Sequence, residues 1–294
     1  MPLKHLFLVL LVCLTWAFNF LAGKYGADYF GPFLGTALRF GFVFLFLFPF
    51  VVKVKREEIV PFMTVGFVMG ILHFGLVFAG FYLAGDVSSL AILAQLHIPF
   101  VVLLGVLFLG ERIGIWQSSG IAIAFLGVAI ISFDPKVIEH PWSAIILAVA
   151  ALMLSVSHVL MRRLPNANPF ALQAWIAGIA VLGHSTLSLI FEVGQMATFS
   201  AAELMEWGSV LYAAIGGTII GHGLALFLIQ RYPVSTVNPY FLLTPIFAIA
   251  MGVFIWGDEP GTELWIGGAL TLLGVAVITF RQKKKALVTD QAPG

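Results

Sequence analysis

The 294-residue chain is 61% hydrophobic and only 10% charged, where soluble domains carry about a quarter charged residues. Such a composition excludes a water-soluble surface, and the net charge of +1, with basic residues scattered at segment ends, excludes a nucleic-acid stripe. Cys13 is the only cysteine, so an intrachain disulfide or a cysteine-based zinc site is impossible.

Charges, prolines and glycines divide the chain into apolar runs near 6–22, 32–52, 60–82, 88–109, 116–132, 142–161, 170–191, 208–229, 235–256 and 264–280. Each approaches the roughly 20 residues a helix needs to cross hydrocarbon. The expected fold is therefore an all-α polytopic membrane protein with ten transmembrane helices. The first run follows Lys4 but lacks an Ala-x-Ala cleavage site, and reads as a retained helix. Pro32, Pro61, Pro141, Pro169 and Pro233 stand at or before starts, where a missing N–H costs nothing. Ser200-Ala-Ala-Glu203 has the spacing of a capping box opening a short interfacial helix with Leu204 and Trp207.

With both termini cytoplasmic, Lys4, Lys53, Lys55, Arg56, Arg112, Arg162, Arg163, Arg231, Arg281 and Lys283 to Lys285 lie inside. Only Lys24 and Lys136 then lie outside, with Arg39 inside the second run. This asymmetry is the positive-inside pattern. The basic stretch after 280 reads as an anchor for the last helix in a cytoplasmic tail, 281–294.

Leu126-Gly-Val-Ala-Ile-Ile-Ser-Phe133 returns as Leu273-Gly-Val-Ala-Val-Ile-Thr-Phe280, 147 residues later, and Pro99 and Ser89 return as Pro245 and Ser235, 146 residues later. Residues 1–140 and 141–280 thus read as two copies of one five-helix unit. An odd number of helices inverts the second copy, and inverted repeats characteristically bind cargo near the midplane and expose it alternately to each side. Pro99 and Pro245 fall near mid-helix and are hinge candidates. Gly66, Gly70, Gly75, Gly80, Gly216, Gly217, Gly221 and Gly223 form candidate smooth contact faces, with static packing as the rival reading.

Leu14-Thr-Trp-Ala-Phe-Asn-Phe-Leu-Ala-Gly-Lys24, Pro32 with Ala37-Leu-Arg-Phe40, and Leu109-Gly-Glu-Arg112 resemble the EamA branch of the drug/metabolite transporter superfamily. The resemblance covers the whole chain. It implies ten helices in two inverted repeats, a central cavity, and export or exchange of small metabolites. Within the branch the chain is most similar to bacterial exporters of aromatic and other neutral amino acids, which implies a bacterial inner membrane. Where the family often has Trp-Gly-Ser-Asn, this chain has Trp16-Ala-Phe-Asn19, and its second copy reads Ser155-Val-Ser-His158.

No acidic residue falls in the middle of a run. Ion-coupled carriers commonly keep a carboxylate there, so the expectation is exchange or facilitated diffusion without obligatory coupling. His73, His97, His158, His184 and His222 lie within runs, so proton coupling through histidine is the alternative. The expected substrate-binding residues are Trp16, Asn19, Tyr82, Ser88, Gln95, His158, Trp175 and Tyr240; Ser155 and Thr236 lie at helical spacing from His158 and Tyr240. Asn19 and Gln95 suit a zwitterion because each amide offers donors and an acceptor. Interhelical hydrogen bonding is the rival for the polar groups, and the interfacial belt for Tyr82, Trp175 and Tyr240. Arg39 could bind a carboxylate or phosphate, but snorkelling or bonding to an intramembrane partner is the favoured reading.

No catalytic residue, metal site or cofactor is expected. The chain lacks a serine-hydrolase elbow, a His-Glu-x-x-His pair and a phosphate loop. The expected partners are a small-molecule substrate and the lipid bilayer. No nucleic acid is expected, and a monomer suffices.

Overall fold

The computed structural model describes residues 3–51, 54–84, 86–109, 114–131, 133–164, 167–231, 240–241 and 243–290. Among these there are helices and no strands. Seven helical stretches are long and apolar enough to cross a membrane: α1 (Leu3–Phe30), α2 (Pro32–Phe50), α3 (Arg56–Leu83), α4 (Val87–Phe108), α6 (Pro141–Met161), α7 (Pro169–Phe191) and α8 (Leu204–Ala225). Three shorter apolar helices are also present among the described residues: α5 (Ser118–Ile131), α9 (Leu243–Trp256) and α10, whose apolar part is Thr262–Ile278.

α1 runs well past its apolar run, and the charge it meets there is internally balanced. Lys24 Nζ lies 2.6 and 2.9 Å from the Asp28 oxygens one turn on, the i,i+4 spacing that helices tolerate best. Gly31 then stops the helix at φ +82, and Pro32 opens α2 at its first position. α7 begins in the same manner, with Pro169 at its start and Asn168 Oδ1 accepting from Phe170 N at 2.9 Å and Ala171 N at 3.3 Å. α10 stays helical to Asp290, so the basic stretch prolongs that helix.

The expected capping box at Ser200 is not formed. Ser200 belongs to the separate short helix Gln195–Ala201, and its hydroxyl donates to Ala197 O at 3.1 Å. The cap sits three residues later, where Glu206 Oε2 accepts from Glu203 N at 2.9 Å and α8 starts at Leu204.

The structure also reveals irregular stretches that periodicity alone does not announce. α3 and α8 each contain a widened π-helical segment, Gly66–His73 and Ala213–His222, both ending on a histidine. A third, Gly252–Trp256, closes α9. α4 is interrupted by a tight turn, Ala94–Leu96, three residues before Pro99, in keeping with the backbone bond that proline removes. π segments recur where helices carry function.

The apolar core joins α2, α3 and α7 around Phe40, Phe62, Phe74 and Ile176. Gly66, Gly70, Gly75 and Gly80 of α3 do meet neighbours, at Ile179, Ile176 O, His184 and Leu147. Gly223 makes no such contact, contrary to expectation, since a Cβ there would meet open space.

The closest approach of glycines to a facing backbone lies elsewhere, between α5 and α10, the most extensive helix pairing among the described residues. A Cβ added at Gly120 would come 2.8 Å from Gly274 O, and one at Gly274 would come 2.5 Å from Gly120 O. Gly127 and Gly267 stand in the same relation, 2.5 Å in each direction. Gly120 and Gly267 are 147 residues apart, as are Gly127 and Gly274. Each glycine therefore touches the counterpart of the other, which is how the two sides of an isologous contact behave.

Candidate functional site

Two groups of polar side chains meet inside the bundle. In the first, Trp16 of α1 donates through Nε1 to Gly217 O of α8 at 3.3 Å. Its indole lies 5.2 Å from the rings of His222 and Phe241. Gly221 gives the indole room, since a Cβ there would sit 2.5 Å from Trp16 Nε1. One turn along α1, Asn19 packs against Gly217 so closely that a Cβ there would collide with Oδ1. That oxygen is buried with no hydrogen-bond partner.

Arg39 of α2 meets α8 at the next residue, Thr218. Its Nε and Nη2 donate to Thr218 Oγ1 at 3.2 and 2.8 Å, and the Thr218 hydroxyl donates onward to Ala213 O at 3.0 Å. The guanidinium carbon lies 5.3 to 5.6 Å from the rings of Phe40, Phe74 and Phe78, within cation–π range. The side chain does not snorkel: Arg39 is 3% exposed. The partner it finds is a hydroxyl, and among the described residues no carboxylate pairs with it.

The second group joins α3, α4 and α6. The His97 and His158 ring centroids are 6.2 Å apart. Ser155 Oγ donates to His97 O at 2.9 Å, and His73 Nδ1 lies 2.8 Å from Ala150 O. Each group draws side chains from both halves of the chain, Trp16 with His222 in the first and His97 with His158 in the second. His184 stays outside both, with Nε2 2.8 Å from Gly70 O.

The other expected residues are distributed more widely. Gln95 is buried on α4, with Nε2 3.5 Å from Ala91 O. Ser88 is fully buried, but its hydroxyl donates to Asp258 Oδ2 at 2.7 Å. Trp175 donates to Val51 O at 3.2 Å, near one end of the bundle. Tyr82 and Tyr240 are exposed, at 50% and 38%. Pro99 and Pro245 are buried within α4 and α9. Thr236 and Ser235 lie outside the described residues.

Asp258 shows what a local reading misses. Its Oδ2 also accepts from Val87 N at 3.0 Å and Ser88 N at 2.8 Å, capping α4 from the end of α9. At the same end of the bundle, Glu192 after α7 accepts from Phe33 N and Leu34 N of α2 at 2.8 and 2.9 Å. Glu206 of α8 accepts from Tyr25 Oη of α1 at 2.8 Å. All three acids lie in residues 141–280 and all three partners in 1–140. A sequence signal existed for Asp258: Trp256-Gly-Asp258 repeats Leu109-Gly-Glu111 at an offset of 147. Glu111 itself lies outside the described residues. Likewise, His73 and His222 both close a glycine-rich stretch, a pairing visible in the chain.

The void lined by Ala22, Gly23, Gly26, Gly35, Arg39 and Ser209 among others holds about 10 Å³, room for about one water molecule.

The EamA-like transporter family model matches twice, over residues 3–133 and 141–280. The chain is 28% identical to a probable amino-acid metabolite efflux pump of Salmonella typhimurium, across 98% of this chain and 100% of that one. It is 25% identical to the protein so described in Escherichia coli K12, across 93% and 94%. It is also 28% identical to a probable terminal-alkyne amino-acid exporter of Streptantibioticus cattleyicolor, across 67% of this chain and 65% of that one. A solved crystal structure superposes with a TM-score of 0.64 at 20% identity, covering 95% of this chain and 99% of that one, a likeness of fold alone. The family contains transporters rather than enzymes, and its chains are integral membrane proteins such as those of the bacterial inner membrane. With both halves matched, this chain belongs to the EamA-like transporter family.

Proposed function

We propose that the chain exports small neutral organic metabolites, chiefly aromatic and other neutral amino acids, by exposing one central site alternately to the two sides of the membrane. In this reading ten helices form two inverted five-helix repeats with both termini cytoplasmic, and a monomer suffices. Trp16, Asn19, Gln95 and His158 frame the site, and Pro99 and Pro245 act as hinges.

One observation carries the proposal: where Trp16 and Asn19 of the first half meet Gly217 and His222 of the second, aromatic rings stand beside a buried Asn19 Oδ1 that has no hydrogen-bond partner, with no carboxylate paired there among the described residues. A transported amino acid needs polar points within an aromatic wall, and a site shared by inverted halves is where carriers bind cargo. The reciprocal Gly120–Gly274 and Gly127–Gly267 contacts support the inverted arrangement. The relatives described as amino-acid exporters support the substrate class.

Counterflow tests it. Proteoliposomes loaded with L-phenylalanine should accelerate entry of labelled L-phenylalanine, which a channel does not do. Absence of trans-acceleration with every neutral amino acid overturns the substrate class. The gathering of His73, His97, His158 and His222 favours proton-coupled export as a second reading. Exchange that persists with the pH gradient collapsed supports the uncoupled reading; strict dependence on the gradient supports the coupled one.

A further inference from the structure

Arg39 is a buried cation whose hydrogen-bonding capacity is largely unmet. A guanidinium carries five N–H donors, and two go to a single hydroxyl, Thr218 Oγ1. Three are left without a protein acceptor among the described residues. A charge in this position is costly unless something compensates it, and three aromatic faces compensate only in part. Arg39 also lines the small void, together with Gly23, Gly26 and Gly35.

The complementary defect lies close by. Asn19 Oδ1 is a buried acceptor with no donor, and it rests against Gly217, the chain neighbour of the Thr218 that holds Arg39. α8 thus brings together an unsatisfied acceptor on α1 and an unsatisfied cation on α2, on two adjacent residues. We propose that Arg39 and Asn19 read the two charges of an α-amino-acid zwitterion, the guanidinium taking the carboxylate and Asn19 Oδ1 accepting from the ammonium. This deepens the exporter reading and rests on it for the amino-acid class. The carboxylate turns an isolated buried charge into a paired one, and planar bidentate recognition of carboxylate is what a guanidinium does best. The void is too small for the ligand as it stands, so binding accompanies parting of α1 and α2 from α8.

Thermal shift on the full chain purified in detergent tests this with four probes: L-phenylalanine, its methyl ester, 3-phenylpropionate and phenethylamine. Wild type should bind L-phenylalanine at least about tenfold more tightly than the ester, the size of one charge-assisted hydrogen bond. Arg39→Gln should weaken L-phenylalanine and 3-phenylpropionate by about that factor and leave the ester unchanged. Arg39→Lys should restore part of the loss. Asn19→Ala should weaken L-phenylalanine but not 3-phenylpropionate.

Equal binding of acid and ester by wild type overturns the proposal, as does wild-type affinity for 3-phenylpropionate in a monodisperse Arg39→Gln protein, or failure of wild type to bind any carboxylate probe. If Arg39→Gln does not fold, Thr218→Val, which unseats the guanidinium without removing it, carries the same comparison, and unchanged acid-over-ester preference there counts against the proposal. Arg39-dependent binding of 3-phenylpropionate without counterflow of any neutral amino acid would keep the carboxylate site and reject the exporter reading. Normal counterflow with no acid-over-ester preference would do the reverse.

Discussion

Asp258 Oδ2 lies 2.7 Å from Ser88 Oγ and also accepts from the Ser88 backbone N–H at 2.8 Å, so one carboxylate oxygen fastens the end of α9 to the start of α4. Anions at helix N-termini are stabilised by unpaired N–H groups and the helix dipole. Each charge-assisted bond contributes about 1.5–3 kcal/mol. Asp258→Ala should therefore loosen this end of the bundle. A thiol placed by Ser88→Cys should react with a polar maleimide several-fold faster when Asp258 is also replaced by Ala, and equal rates would reject the latch.

Gly127 and Gly274 have no room for a side chain, because backbone oxygens of the facing helix occupy it. Gly127→Leu and Gly274→Leu should each cost more than the usual 1–3 kcal/mol of overpacking and deplete monodisperse protein in size-exclusion chromatography. Gly41→Ala, on α2 with nothing within 4 Å of the added carbon, should instead raise stability by about 0.4–1 kcal/mol. Similar yields for all three variants would contradict the packing described.

His184 and His158 should separate structure from transport. His184 bonds Gly70 O at 2.8 Å, and its ring also fills the space beside Gly75. His184→Ala should lower the melting temperature while leaving the half-saturation concentration unchanged in whatever folds. His158→Ala should raise half-saturation in a protein of near-native stability. Exchange of these two phenotypes would reverse the assignment.

Pro99→Ala combined with Pro245→Ala tests the hinges. Restoring the lost backbone bonds straightens α4 and α9, so turnover should fall more than binding. Wild-type turnover in the double variant would dismiss them.

Much of the architecture is legible in the chain because hydrophobic run length and charge placement follow directly from the bilayer. The limits of individual helices are less so. Lys24 reads as an ending, yet Asp28 balances it and α1 runs on to Phe30. Ser88 reads as part of a cavity wall, but a carboxylate 170 residues away takes its hydroxyl. Arg39 reads as snorkelling or bonded to an intramembrane partner, and the second holds, but a lone arginine gives no sign that the partner is Thr218 or that three phenylalanine rings will enclose it. The duplication is more informative than any single motif: the 147-residue offset links Gly120 to Gly267 and Gly127 to Gly274, the four glycines on which α5 and α10 pack.

The claim that both halves rock about one central site is tested most directly by fixing the Asp258 end shut. In a Cys13→Ser background, Ser88→Cys with Asp258→Cys places two thiols where hydroxyl and carboxylate now meet. Oxidation to the cross-linked form should abolish L-phenylalanine counterflow in proteoliposomes, and reduction should restore it. Undiminished counterflow through fully cross-linked protein would contradict alternating access through this end.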